Sequence, residues 1–346
     1  MPEMMKAVIK PHKGPGLEVH QVPIPSIKAD EVLVKVRAAS ICGTDLHVYL
    51  WDEWAAGRVN PPIIAGHEIC GDVVDRGSMV SSHKVGDYVS LESHIICNIC
   101  RFCRTGLGHI CENTRLIGVD CDGGFAEYIS IPAQNAWPNP PDLPLEIAVL
   151  QENFGNAVHT AFAADLRAKK ILVTGCGPVG LMTIAVARAI GARAIYATDI
   201  SPYRIEFALR MGADLALHAI DDKVIETVLE ATDGEGVDVL LEMSGVPSAI
   251  DQGFTLLKPG GDAALLGVAH GPFTFDWNRH IVFKAASVIG ISGRNLWRTW
   301  YQARGLIRSG AVDLSPVVTH RYKMEEFDNA FETMSSGDSG KVMLTP

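Results

Sequence analysis

The sequence predicts an α/β chain of two domains, one mainly β and one built on a doubly wound parallel sheet. Three observations lead there. The chain has 346 residues, 47% of them hydrophobic, and at roughly 100–200 residues per domain that length divides into about two. Residues up to about 150 read as short Val- and Ile-rich runs separated by turns. From Lys170 onward apolar strands alternate with helices, the pattern of repeated βα units around an open parallel sheet.

In order along the chain, EVLVKVRAAS at 31–40 and the run 69–74 read as strands, and VGDYVSL at 85–91 as another after a turn. ILVT at 171–174 is a buried strand, followed by a helix over 178–190 and a second strand, AIYAT, at 194–198. Helices are expected near 202–211, 222–231 and 247–257, with strands at 237–243, 263–267 and 288–291. A helix at 296–309 opens a mixed tail that we expect to pack back on the first half, making that domain discontinuous.

Composition removes several function classes. Lys and Arg total 30 against 40 Asp and Glu, a net charge of −10, the opposite of the basic balance that phosphate neutralisation requires, so no nucleic-acid partner is expected. No low-complexity tract interrupts the chain. The stretch 171–187 carries no charge over 17 residues, but Gly175, Gly177, Pro178 and Gly180 break it and Arg188 closes it, so no membrane span is expected. MPEMMKAVIK has no continuous apolar segment of the kind that directs secretion, and a cytoplasmic protein is the expectation.

Four of the eight cysteines fall within fifteen residues, as Cys97-x2-Cys100-x2-Cys103-x7-Cys111. Four thiolates at that spacing can close a tetrahedral zinc site within one short lobe, with no open position for a substrate, so this zinc is read as structural.

Gly175-Cys-Gly177-Pro178-Val179-Gly180 follows the strand ILVT and opens an apolar helix, with Asp199 lying 24 residues beyond the first glycine. The three glycines suit a tight turn, a close backbone approach to a pyrophosphate and close helix packing, with the helix N-terminus facing the phosphates. An acid at Asp199 can accept both ribose hydroxyls and repels a 2′-phosphate, favouring NAD. Arg204 can pair with a 2′-phosphate or with Asp199, which keeps NADP as the alternative.

A third set is dispersed: Cys42 in CGTDLH, His67 and Glu68 in GHE, and Glu152 in QENFGNAVH. Thiol, imidazole and carboxylate are good first-row metal ligands, and three of them with one open position would make a zinc that polarises a substrate oxygen. Taken singly they also read as a hydrogen-bonded histidine, a buried thiol and solvated carboxylates. Spacing does not decide whether they meet.

With GHE-x2-G at 66–71, CGTDLHVYLWDEWAAG at 42–57, the four-cysteine lobe, FGNAVHTAF at 154–162, LLEMSG at 240–245, SGRNLWRTWY at 292–301 and DLSPVVTHR at 313–321, the chain resembles the zinc-dependent medium-chain alcohol dehydrogenases over almost its whole length. The resemblance implies a GroES-like catalytic domain from 1–152 and 295–346, carrying the structural zinc lobe at 92–115, and a Rossmann NAD-binding domain at 153–294. It further implies a homotetramer and two zincs per chain, the catalytic one held by Cys42, His67 and a carboxylate at Glu68 or Glu152. Thr44 and His47 match the family's proton relay, His94 resembles a histidine near the substrate, and Arg294 in SGR is a candidate to reach cofactor or substrate. The implied reaction is oxidation of the secondary hydroxyl of L-threonine, with a polyol or vicinal diol as the alternative substrate and a non-catalytic NAD-binding protein as a second alternative. One departure stands at Asn153, where many of the chains it resembles carry proline after the acid. A proline there would stiffen the backbone beside Glu152.

Overall fold

A computed structural model describes residues 3–221 and 223–346. The chain divides into two compact units, one running to Glu152 and resuming over Leu314–Pro346, the other Asn153–Asp313. The helix Arg298–Arg308 lies within the second of these units.

In the first unit a seven-stranded sheet runs in the order 136–138, 88–91, 68–76, 31–40, 341–345, 318–323, with 128–132 also paired to 31–40. The strand Glu31–Ser40 is at its centre because its Val and Ala side chains are buried almost throughout. The chain end, Lys341–Thr345, pairs antiparallel with it, Leu344 opposite Ala39, which is why the tail belongs to this unit. Val34, Val36, Ile69, Val73, Val89, Ile131, Phe331 and Leu344 share one core. Register then sets chemistry, since Ser40 lies directly opposite Glu68.

The second unit holds a six-stranded, all-parallel sheet. Numbered along the chain, its strands Lys170–Thr174, Ala194–Asp199, Leu215–His218, Val237–Glu242, Leu257–Leu265 and Ser287–Gly290 lie in the order 3-2-1-4-5-6. That is the doubly wound dinucleotide-binding order, with its ligand crevice at the carboxyl ends of strands 1 and 4. Helices Pro178–Ala189, Pro202–Arg210, Val224–Ala231 and Pro247–Leu256 fall within the predicted spans; Asp222, expected in one of them, is outside the described residues. Sequence reading did not anticipate the 17-residue helix Leu145–Ala161, which carries Glu152.

Candidate active site

Cys42 caps the helix Gly43–Leu50 from an extended conformation, and its backbone N–H donates to Asp45 Oδ2 at 2.8 Å. Asp45 is itself buried, and its Oδ1 lies 3.2 Å from Nδ1 of His67. One carboxylate therefore anchors the backbone of Cys42 and faces the imidazole of His67, placing a negative charge where an outer group can orient metal ligands. The glycines of GHE-x2-G have steric reasons: Gly66 has φ +90° and a Cβ there would come 2.1 Å from the Phe125 ring, while a Cβ at Gly71 would come 2.2 Å from the Lys35 carbonyl oxygen.

Cys42, His67 and Glu68 each present a donor atom within 4.8 Å of the others. His67 and Glu68 are buried and Cys42 half-buried. Burial alone pushes His67 down, but the Asp45 carboxylate and Cys42 outweigh it and hold the imidazole well above its usual value. Burial raises Glu68, with the nearby Glu152 charge adding to the rise and Lys341 opposing it. Glu68 also accepts from the hydroxyl of Ser40. A thiol, an imidazole and a carboxylate converging out of solvent make a donor set that suits zinc. Glu152 lies near Glu68, and its Oε1 accepts from Ser93 Oγ at 2.6 Å.

Thr44 and His47 lie three residues apart on one helix, so their side chains share a face. His47 Nδ1 is bound by the carboxylate of Asp52, and the Trp54 ring lies 5.7 Å from the imidazole. His94 donates its backbone N–H to Glu92 Oε1 at 2.7 Å, and its Nδ1 is 3.0 Å from the same oxygen. Arg294 is only 1% exposed, with its stem against Gly155 and its Nη1 donating to Asn156 Oδ1 at 3.2 Å.

The four cysteines of the lobe meet as spaced, with Cys97 and Cys111 sulfurs 3.5 Å apart and Cys100 and Cys111 sulfurs 3.9 Å apart. Four sulfurs at the ordinary zinc–sulfur distance would be separated by about 3.8 Å. Backbone N–H groups of Ile99 and Cys100 aim at Cys97 and pull its thiol down to about 6, preparing a thiolate.

In the second unit Gly175 has φ +89° and a Cβ there would press on Ser244, while one at Gly180 would lie 2.0 Å from the Gly175 carbonyl. Gly177 faces open space and caps the helix that begins at Pro178 and Val179, leaving N–H groups bare at a helix N-terminus where a phosphate fits. Asp199 is buried at the end of its strand, but Oδ2 accepts from the Cys176 N–H at 2.7 Å and Oδ1 from the Ser201 N–H at 2.9 Å. Each oxygen keeps a further lone pair for a ribose hydroxyl. Arg204 is half-buried, and its Nε has no hydrogen-bond partner among the described residues.

Sequence reasoning missed Asp45, Ser40, Lys341, Glu92 and Ser93. Asp45 was readable as a capping acid three residues after Cys42; nothing local marks Lys341.

A parallel sheet of this order, a crevice loop of this shape and two zinc-suited donor sets define a zinc- and NAD-dependent dehydrogenase. The family described as alcohol dehydrogenase GroES-like domain matches residues 28–141, and that described as zinc-binding dehydrogenase matches 178–309. The L-threonine 3-dehydrogenase of Symbiobacterium thermophilum is 49% identical over 347 residues, 100% of this chain and 99% of that protein; that of Pyrococcus horikoshii is 48% identical over 99% of each. A short chain alcohol dehydrogenase of Escherichia coli CFT073, solved with NADH, superposes with a TM-score of 0.92 at 26% identity over the whole of both chains. The chain belongs to the zinc-dependent medium-chain alcohol dehydrogenase family, in the branch formed by the L-threonine 3-dehydrogenases.

Proposed function

We propose that this enzyme oxidises the secondary hydroxyl of L-threonine, passing hydride to NAD and one proton to solvent, to give 2-amino-3-oxobutyrate. The observation that carries the reading is the convergence of Cys42, His67 and Glu68 beside the helix that bears Thr44 and His47. Cys42, His67 and Glu68 would hold the catalytic zinc, and Cys97, Cys100, Cys103 and Cys111 the structural one. Bound there, catalytic zinc supplies a Lewis acid that lowers the pKa of the substrate hydroxyl.

The chain's own groups do the rest. Thr44 Oγ1 takes the hydroxyl proton and hands it to His47, which passes it outward through its half-exposed ring. Glu152, bonded by Ser93, stands near enough to Glu68 to raise its carboxyl. His94, oriented by Glu92, is our candidate contact for the charged ends of the amino acid. Arg294 braces the loop after the last parallel strand against Asn156. Gly175, Gly177 and Gly180 shape the turn for the pyrophosphate, while Asp199 and Arg204 receive the adenosine ribose. The family resemblance further supports a cytoplasmic homotetramer, and no described helix is long and apolar enough to cross a membrane.

The test is NADH formation by the zinc-loaded enzyme with L-threonine, sorbitol and 2,3-butanediol side by side. Preference for L-threonine supports the reading; turnover of a diol with threonine inert overturns the substrate while leaving the zinc and NAD assignments standing.

A further inference from the structure

The segment Trp51-Asp52-Glu53-Trp54 follows directly on the helix that carries His47, and the reaction so far gives it no task. Its backbone is specialised. Trp51 ends the helix in the left-handed region, φ 58° and ψ 48°, a conformation that side chains other than glycine and asparagine adopt at a cost. Trp51 is held there by packing on the core of its unit and by the Lys10 ammonium 4.8 Å from its ring centre. The N–H groups of Trp51 and Asp52 both turn back to the carbonyl of His47, at 2.9 and 3.4 Å.

That reversal aims Asp52 at the imidazole. Its Oδ2 binds His47 Nδ1, and its Oδ1 accepts the Ala55 N–H at 3.0 Å as the N-cap of the helix Glu53–Arg58. The next turn of that helix is pinned as well, because Arg58 donates to both oxygens of Asp120, at 3.0 and 2.7 Å. The Trp54 ring stands 5.7 Å from the imidazole, tilted by 53°. The carboxylate is thus fixed by two anchors, one of them a helix end, and cannot swing away from the ring without uncapping it.

We infer that Asp52 is a positioning residue for the proton relay: it accepts a hydrogen bond from the Nδ1–H of His47, holding that proton on Nδ1, and so leaves the lone pair on Nε2 to receive the proton from Thr44. The inference rests on the relay reading of Thr44 and His47. Its logic is that of any carboxylate that sets an imidazole tautomer by binding the nitrogen away from the chemistry.

D52N makes a sharp test. Asparagine caps helices as well as aspartate does, so its oxygen stays with the Ala55 N–H and its amide NH2 faces Nδ1. Nδ1 must then accept, which moves the imidazole proton to Nε2 and blocks reception. The second variant, D52S, keeps a cap but is too short to reach the ring.

The readout is the single-turnover rate of NADH formation by zinc-loaded wild type, D52N, D52S, H47N and D52N/H47N with L-threonine, together with melting temperature and NADH affinity. We expect D52N and D52S to lose about tenfold in rate with affinity and melting temperature held, and D52N to cost nothing further in the H47N background. Losses that multiply in the double variant, or a wild-type rate for D52N while H47N is impaired, overturn the inference and leave the relay intact. A wild-type rate for H47N overturns the relay reading itself, and the role of Asp52 with it.

Discussion

Lys341 donates to Glu68 across 2.6 Å, with the two side chains 3% and 0% exposed, from positions 273 residues apart. The strand register that sets Ser40 opposite Glu68 and next to Met343 brings the chain end to the candidate metal centre. Burial depresses Lys341, but the charges of Glu68 and Cys42 more than compensate and keep it an ammonium.

Removing one member of this pair leaves the other charge stranded. K341M should destabilise the fold by about 3–5 kcal/mol, whereas E68Q/K341M, which removes both charges, should recover much of that. Denaturant unfolding of the two metal-free variants beside wild type checks this. A double variant no more stable than K341M would mean that the pair is not an isolated charge balance.

The lobe cysteines should account for one metal, independently of the other. C103S should lower bound zinc from two per chain to one in a colorimetric chelator assay, with a fall in melting temperature. Cys70, whose thiol burial pushes up to about 12, and Cys176, buried and raised further, should stay unreactive to a thiol reagent at pH 8 before and after chelation, while the lobe thiols become reactive only after it.

Gly177 and Gly180 should separate binding from folding. With no heavy atom within 4 Å of a Cβ at Gly177, G177A should melt as wild type does and bind NADH about tenfold more weakly. At Gly180 the Cβ would meet the Gly175 carbonyl at 2.0 Å, so G180A should lose melting temperature and affinity together. Fluorescence titration beside a thermal melt distinguishes them.

Acid sensitivity should trace in part to Glu31. Burial alone would raise its carboxyl, but Lys28 N and Nζ at 3.0 and 2.9 Å and Ser130 Oγ at 2.9 Å hold it below its usual value. A carboxyl lowered in the folded state stabilises the protein above the unfolded value near 4.5 and loses that contribution as pH falls through the folded one. The melting-temperature gap between wild type and E31Q should therefore be widest near pH 7 and close as pH drops below about 4.

What was legible in the chain was legible because its cause is local. Cys97, Cys100, Cys103 and Cys111 lie within one short loop, and the turn from Gly175 to Gly180 is a single strand-to-helix corner, so spacing alone carries their chemistry. The alternation of strands and helices after Lys170 reflects side-chain periodicity over elements of four to twelve residues, and the parallel unit follows it.

The choice between Glu68 and Glu152 could not be read in this way. Both are acids beside good ligands, and it is the folded sheet that brings Glu68 within 4.8 Å of Cys42 and His67, while Glu152 accepts a hydrogen bond from Ser93 and lies close enough to Glu68 to act on its charge. The approach of Asp45 to His67 and the pairing of Glu68 with Lys341 have the same origin. Sequence determined which ligands, turns and strands exist, since these are settled by residue type and short-range geometry; tertiary structure decided which of them meet, since register and packing join residues whose separation leaves no periodic trace.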